Sequence, residues 1–161
     1  MKQYESSLPA SDPLAQWRPA LRGGNAEAGK KIFIERQEAA CFRCHKVGGQ
    51  GGEVGPELTG IGAKQPREYL LESMLFPNKS IAPGFETAIV TLKNGTAYAG
   101  VVKSSTDAEV VLNSPEDGLV TVKVADIKAR DRGLSPMPEE LGGVLSKRDF
   151  RDLVEFLATV K

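Results

Sequence analysis

Apolar residues recur at helical spacing near both ends of the chain and alternate through much of the stretch between them. From Asn25, a residue suited to an N-cap, the positions Ala28, Ile32 and Phe33 share one side of a helix that the pattern carries to about Ala39. A second helix opens at Pro66, carries Tyr69, Leu70, Met74 and Leu75 at the same spacing, and is stopped by Pro77. A third starts at Ser146, with Asp149 three residues on as a capping partner, and presents Phe150, Leu153, Val154, Leu157 and Val160 on one face. Between Phe85 and Ile127 the period drops to two. The runs Thr87 to Lys93, Thr96 to Ser104, Glu109 to Asn113 and Leu119 to Val124 are rich in Val, Ile and Thr and predict strands. Asn94-Gly95 and Glu116-Asp117-Gly118 supply the hairpin turns. The predicted class is α+β: helices around a β meander of four or five strands, curled into a small barrel because an open sheet of this size exposes two edges.

Three prolines, Pro9, Pro13 and Pro19, interrupt the first 23 residues, and Leu14 and Trp17 are read as its docking groups, so this stretch reads as a linker. The expected organisation is therefore a linker over 1–23 and one domain over 24–161, with a β insertion at about 84–130. The linker lacks the apolar stretch and cleavage site of a secretory signal; either an export signal has been removed or, the favoured reading, this is one domain of a longer exported chain.

Composition narrows the function classes. With 21 basic and 21 acidic residues the chain has no single-sign field of the kind that binds nucleic acid, and no apolar run approaches the roughly 20 residues of a membrane helix. An aromatic share of 6% beside 17 glycines makes a thin intrinsic core, one that a large apolar cofactor would complete. Gly48 to Gly62 is a glycine-rich loop, read as allowing close approach to a flat ligand.

The chemistry concentrates in Cys41-Phe42-Arg43-Cys44-His45, which holds both cysteines and the only histidine of the chain. C-x-x-C-H is the spacing of c-type haem attachment. Cysteines three apart lie within one helical turn, each able to form a thioether with a vinyl group, and the adjacent histidine is carried under the iron. A zinc site lacks a second ligand pair, a thioredoxin-like pair lacks its βαβ setting, and a Cys41–Cys44 disulfide leaves His45 without a role. A second axial ligand is sought among three methionines. Met1 is on the tail, Met74 is at a core position, and Met137 sits between Pro136 and Pro138, where prolines stiffen a ligand loop in advance. Met137 is the predicted distal ligand, so the predicted metal ligands are His45 and Met137.

Gly29-x-x-x-Phe33, Cys41-x-x-Cys44-His45, Gly55-Pro56-x-Leu58, Met137-Pro138 and Leu153-Val154-x-Phe156-Leu157 together resemble the class I cytochrome c fold. Val54 to Gly62, Pro77-Asn78-Lys79-x-Ile81 and Ser135-x-Met137-Pro138 are similar to the C-terminal haem-binding domain of large exported planctomycete and verrucomicrobial proteins. The resemblance implies that Gly29 and Phe33 cross against Phe156 and Leu157, that the Pro56 carbonyl accepts a hydrogen bond from the second ring nitrogen of His45, and that Pro56 and Leu58 join the haem-binding set. It implies one covalent haem c, single-electron transfer without catalysis, and a periplasmic or otherwise exported location. The implied partner is a redox protein or an upstream dehydrogenase domain, feeding a respiratory chain. The β segment would either cover the haem or serve as a docking surface. Lys64, Arg67 and Tyr69 are candidates for the haem propionates. The competing reading is an open-site haem sensor or peroxidase-type protein, for which the chain offers no second histidine as acid or base.

Overall fold

The computed structural model describes residues 12–114 and 116–161, and it is a mixed α+β chain. The expectation for residues 1–11 of the tail lies outside the described residues. The chain divides into two compact units. One runs up to Pro77 and resumes over Pro138–Lys161; the other is Asn78–Met137.

The first unit is helical. A 3-10 helix (Ala15–Leu21) precedes α1 (Ala26–Glu35), the single-turn α2 (Cys41–Cys44), a two-residue hairpin of β1 (Lys46–Val47) and β2 (Gln50–Gly51), α3 (Ile61–Lys64) and α4 (Arg67–Leu75). After the second unit come α5 (Leu141–Val144) and α6 (Lys147–Thr159). The Asn25 carboxamide accepts from Ala28 N at 2.9 Å, starting α1 where the capping residue predicts. The helix stops at Glu35 rather than near Ala39, because the Arg36 carbonyl accepts from both Ala39 N and Ala40 N and turns the chain into α2. Ser146 and Asp149 form the reciprocal capping box expected for α6. Its face of Phe150, Leu153, Val154, Phe156 and Leu157 is buried, each such side chain contributing about 1.5–3 kcal/mol.

The crossing of α1 on α6 depends on a missing side chain. A Cβ on Gly29 would collide with the Asp152 carbonyl and lie 2.8 Å from Phe156 Cβ. With hydrogen in its place the helices close until the Phe33 and Phe156 rings are 5.5 Å apart and Asn25 N donates to Asp152 Oδ1 at 2.8 Å. Part of the expected linker is also ordered structure. The 3-10 helix, with Pro19 inside it, sets the Trp17 ring edge-on to Phe150 at 5.0 Å, an aromatic contact that docks this turn on α6.

The second unit is one antiparallel sheet. Its strands are β3 (Thr87–Leu92), β4 (Ala97–Ser105), β5 (Glu109–Ser114), β6 (Gly118–Lys123) and β7 (Ile127–Arg132), ordered β6-β5-β4-β3-β7. Both predicted turns are present, with Gly95 and Gly118 at positive φ. Ala88, Val90, Val110, Leu112 and Val122 form the core. The fifth strand escaped the pattern because five of its six residues are exposed. The barrel expectation needs correction in one respect, since β6 and β7 end the strand order and share no ladder. The sheet nonetheless has to curl. Only Val124–Asp126 separate its two edge strands, whereas four strand spacings of a flat sheet span about 19 Å, beyond the reach of so few residues in a 3-10 turn.

Candidate functional site

Ala40, at φ 49°, is the one described non-glycine residue in the left-handed region, and it reverses the chain so that a single helical turn begins at Cys41. Cys41 and Cys44 are free thiols at i and i+3 of that turn, both half-buried. Burial pushes the Cys41 thiol up to about 11, against a hydrogen bond to its backbone and helped by the neighbouring Cys44. His45 caps the turn, its N–H donating to the Cys41 carbonyl at 2.9 Å.

A strap over residues 51–58 closes on this turn. Gly52 N donates to the Phe42 carbonyl at 3.0 Å, Gly55 N to the Cys44 carbonyl at 2.7 Å, and Leu58 N to the Lys46 carbonyl at 2.8 Å. Farther along, Gly48 N donates to Thr59 Oγ1, which in turn donates to Glu57. Lys46 and Glu53 form an ion pair at the surface of the hairpin.

The strap sets the state of the imidazole. His45 Nδ1 lies 2.8 Å from the Pro56 carbonyl, and because a carbonyl only accepts, Nδ1 carries the proton and Nε2 keeps an available lone pair. Burial lowers the imidazole pKa, the Pro56 carbonyl opposing that shift, so the neutral, ligating form is favoured. The absence of a side chain at Gly55 is required, since a Cβ there would stand 2.5 Å from His45 Cε1 and 2.8 Å from Nδ1.

Several glycines of the loop are required by contacts with protein, while Gly48 and Gly49 take positive φ with nothing within 4 Å of an added Cβ. A Cβ on Gly51 would collide with the His45 carbonyl and one on Gly52 with the Arg43 carbonyl, so these glycines let the strap lie against the motif backbone. Sequence reasoning also passed over Phe42. Its ring stands edge-on to Phe33 at 6.4 Å and anchors the motif to α1; a bulky apolar residue between the cysteines was the available signal.

Cys41, Cys44, His45, Pro56 and Leu58 are therefore brought together in the helical unit, while Met137, half-buried, is the last residue of the sheet unit. Met74, at 6% exposure, is a core side chain of α4, as its spacing predicts. Arg67 is already engaged. It holds Glu155 through two contacts of 2.8 Å and also donates to the Leu21 carbonyl. Lys64 is exposed on α3 and Tyr69 half-buried on α4. Among the described residues no three His, Cys, Asp or Glu side chains cluster as a metal site.

Two thiols one helical turn apart and an imidazole whose Nδ1 is held by a carbonyl, leaving Nε2 available, are groups that suit a covalently held porphyrin. The cytochrome c family model matches residues 26–113, more than half of the chain, and the protein belongs to the cytochrome c family. That family binds covalently attached haem c with its iron, and the Cys41/Cys44 pair fits the motif region. It carries electrons and implies a redox partner. None of the described helices is long and apolar enough to cross a membrane.

Proposed function

We propose that residues 24–161 form a mono-haem electron carrier in which Cys41 and Cys44 hold the porphyrin, His45 is the proximal ligand and Met137 the distal one. In this reading the sheet of Asn78–Met137 is an insertion, expected at about 84–130, between the second long helix and the methionine loop of a class I cytochrome c frame. The bound haem supplies one-electron chemistry at its iron; the residues supply orientation and a closed ligand set. The observation that carries the reading is the 2.8 Å contact from His45 Nδ1 to the Pro56 carbonyl. It fixes the tautomer and raises the basicity of the other nitrogen, which favours the oxidised state and limits movement on electron transfer. Gly55 against the ring and Gly52 against the motif backbone restrain the same group from the strap side.

The motifs Val54 to Gly62, Pro77 to Ile81 and Ser135 to Pro138 support membership of the planctomycete and verrucomicrobial type of domain. On that footing the location is periplasmic or otherwise exported. The electron source is a dehydrogenase, on the same polypeptide or separate, and the acceptor a respiratory chain.

The test is a reduced-minus-oxidised visible spectrum with a pyridine haemochrome assay, on protein made in a host that matures c-type haem. A covalent haem with a weak long-wavelength sulfur-to-iron band, lost in Met137→Ala, is expected. A band unchanged by that substitution removes Met137 as the ligand. A high-spin haem that binds added ligands would instead favour a sensor or peroxidase.

A further inference from the structure

The proline-flanked segment ending in Met137 is held to its own unit by a set of specific contacts. Ser135 N donates to the side-chain oxygen of Asn78 at 2.6 Å, and Met137 N donates to Ser135 Oγ at 3.2 Å. Just before them, Thr87 Oγ1 donates to the Leu134 carbonyl at 2.6 Å and Gly133 N to the Thr87 carbonyl at 3.0 Å. Gly133 is buried, and a Cβ there would come 2.5 Å from Thr87 Oγ1, so the segment is fitted to the start of β3 at contact distance. Arg132 adds a donor to the Asn78 carbonyl at 3.4 Å.

Asn78 is the first residue of the sheet unit and Met137 the last, so one carboxamide stitches the unit's entry to its exit. A proline-flanked loop with no further task needs no such stitch. Proline restricts φ at positions 136 and 138 and leaves Ser135 and Met137 to be placed by hydrogen bonds. The contacts from Asn78 to Ser135 and from Ser135 to Met137 form one chain of donors that ends on the methionine's own backbone.

We propose that Asn78 is a positioning residue for Met137, and that the sheet unit is a clamp on the axial methionine rather than only a cover for the haem. The inference rests on the reading of Met137 as a ligand and assigns a role to the Pro77-Asn78-Lys79 motif. A thioether is a neutral, weakly binding ligand on a side chain with three rotatable bonds. Its bound fraction therefore depends on how far the backbone behind it is ordered in advance. Anything that shifts the first or last strand connection of the sheet changes that fraction, which gives a partner bound to the sheet a route to the iron.

The test uses the full-chain ferric holoprotein and two readouts: the strength of the sulfur-to-iron band, and the rate at which added imidazole binds the iron. Asn78→Ala is expected to weaken the band and to speed imidazole binding roughly three- to tenfold, the equilibrium change expected from one lost hydrogen bond. Asn78→Asp, which keeps an acceptor oxygen for Ser135 N, should remain close to wild type. If Asn78→Ala lowers the melting temperature while band and imidazole rate stay at wild-type values, the residue is merely structural and the proposal is overturned. Met137→Ala separates the two levels of failure. A band that survives it removes the ligand reading and this inference together, whereas loss of the band alongside an unchanged Asn78→Ala rate removes only the positioning role. Should Asn78→Ala not fold, Ser135→Ala interrupts the same chain at its next link and carries the same expected acceleration, with an unchanged rate again counting against the clamp.

Discussion

A Gly55→Ala substitution places a methyl carbon 2.5 Å from His45 Cε1 and 2.8 Å from Nδ1. Ordinary contact begins near 3.4 Å, so either the imidazole retreats by about 0.9 Å or the strap lifts by as much. The strap resists lifting, because Gly55 N is bound to the Cys44 carbonyl at 2.7 Å and Gly52 N to the Phe42 carbonyl at 3.0 Å. Ring displacement on this scale stretches the 2.8 Å contact to Pro56 beyond hydrogen-bonding distance. A hydrogen bond of this kind is worth about 0.5–1.5 kcal/mol, which at a one-electron centre corresponds to roughly 20–65 mV. The sign follows from ligand basicity. With His45 as the proposed iron ligand, Nδ1–H donation would make the imidazole a stronger donor to the oxidised metal, so losing it would raise the reduction potential. Potentiometric titration of the holoprotein, followed at the visible haem bands, measures the shift. Gly143→Ala serves as the control, since a Cβ at that helical position meets nothing within 4 Å. A Gly55→Ala protein with the potential of the control would refute the claim that the strap sets the imidazole.

Three further outcomes are expected. Gly29→Ala drives a methyl group into the Asp152 carbonyl; overpacking of about 1–3 kcal/mol, partly offset by alanine's better helix propensity, should lower the thermal midpoint by roughly 2–8 °C, and a midpoint at or above wild type would refute the close crossing. Glu155, held below its ordinary value of 4.5 by Arg67, stabilises the fold above that pH, and its contribution fades as the pH falls through the depressed folded-state value. Glu155→Gln should therefore cost about 1 kcal/mol at neutral pH, given a half-exposed bidentate pair, and the gap to wild type should close in urea titrations below pH 4.5; a gap that widens in acid would reverse the assignment. With 21 basic and 21 acidic residues, the second-order rate of electron exchange with a small soluble partner should change less than about threefold between low and physiological salt, and a fall of tenfold or more would reveal a steering field that the net charge hides.

Much of the local structure was legible in the chain. Asn25 and Ser146 start helices because their side chains cap backbone N–H groups within three residues. Asn94-Gly95 makes its turn because Gly95 has to take positive φ. C-x-x-C-H is equally local, since two thiols and an imidazole within five residues need only one helical turn to converge. These features depend on neighbours in sequence, and pattern reasoning reaches them.

What the chain alone left undecided depends on groups far apart in sequence. The strand at Ile127–Arg132 is nearly all exposed and carries no alternation, so its pairing with β3 follows from the curl of the sheet. Trp17 looked like part of a linker because Phe150, the ring it meets, lies more than a hundred residues away. The loop glycines advertised freedom, but only folding shows that Gly51 and Gly52 yield to the motif's own carbonyls and Gly55 to the His45 ring. Arg67, as available as Lys64 in sequence, is engaged once α4 and α6 bring Glu155 to it. The Asn78 carboxamide likewise meets Ser135 N only when the chain returns to it at the end of the sheet. Caps, turns and a five-residue motif are written in short-range hydrogen bonding and sterics, whereas the clearance at a glycine or the partner of an arginine exists only after distant segments have packed.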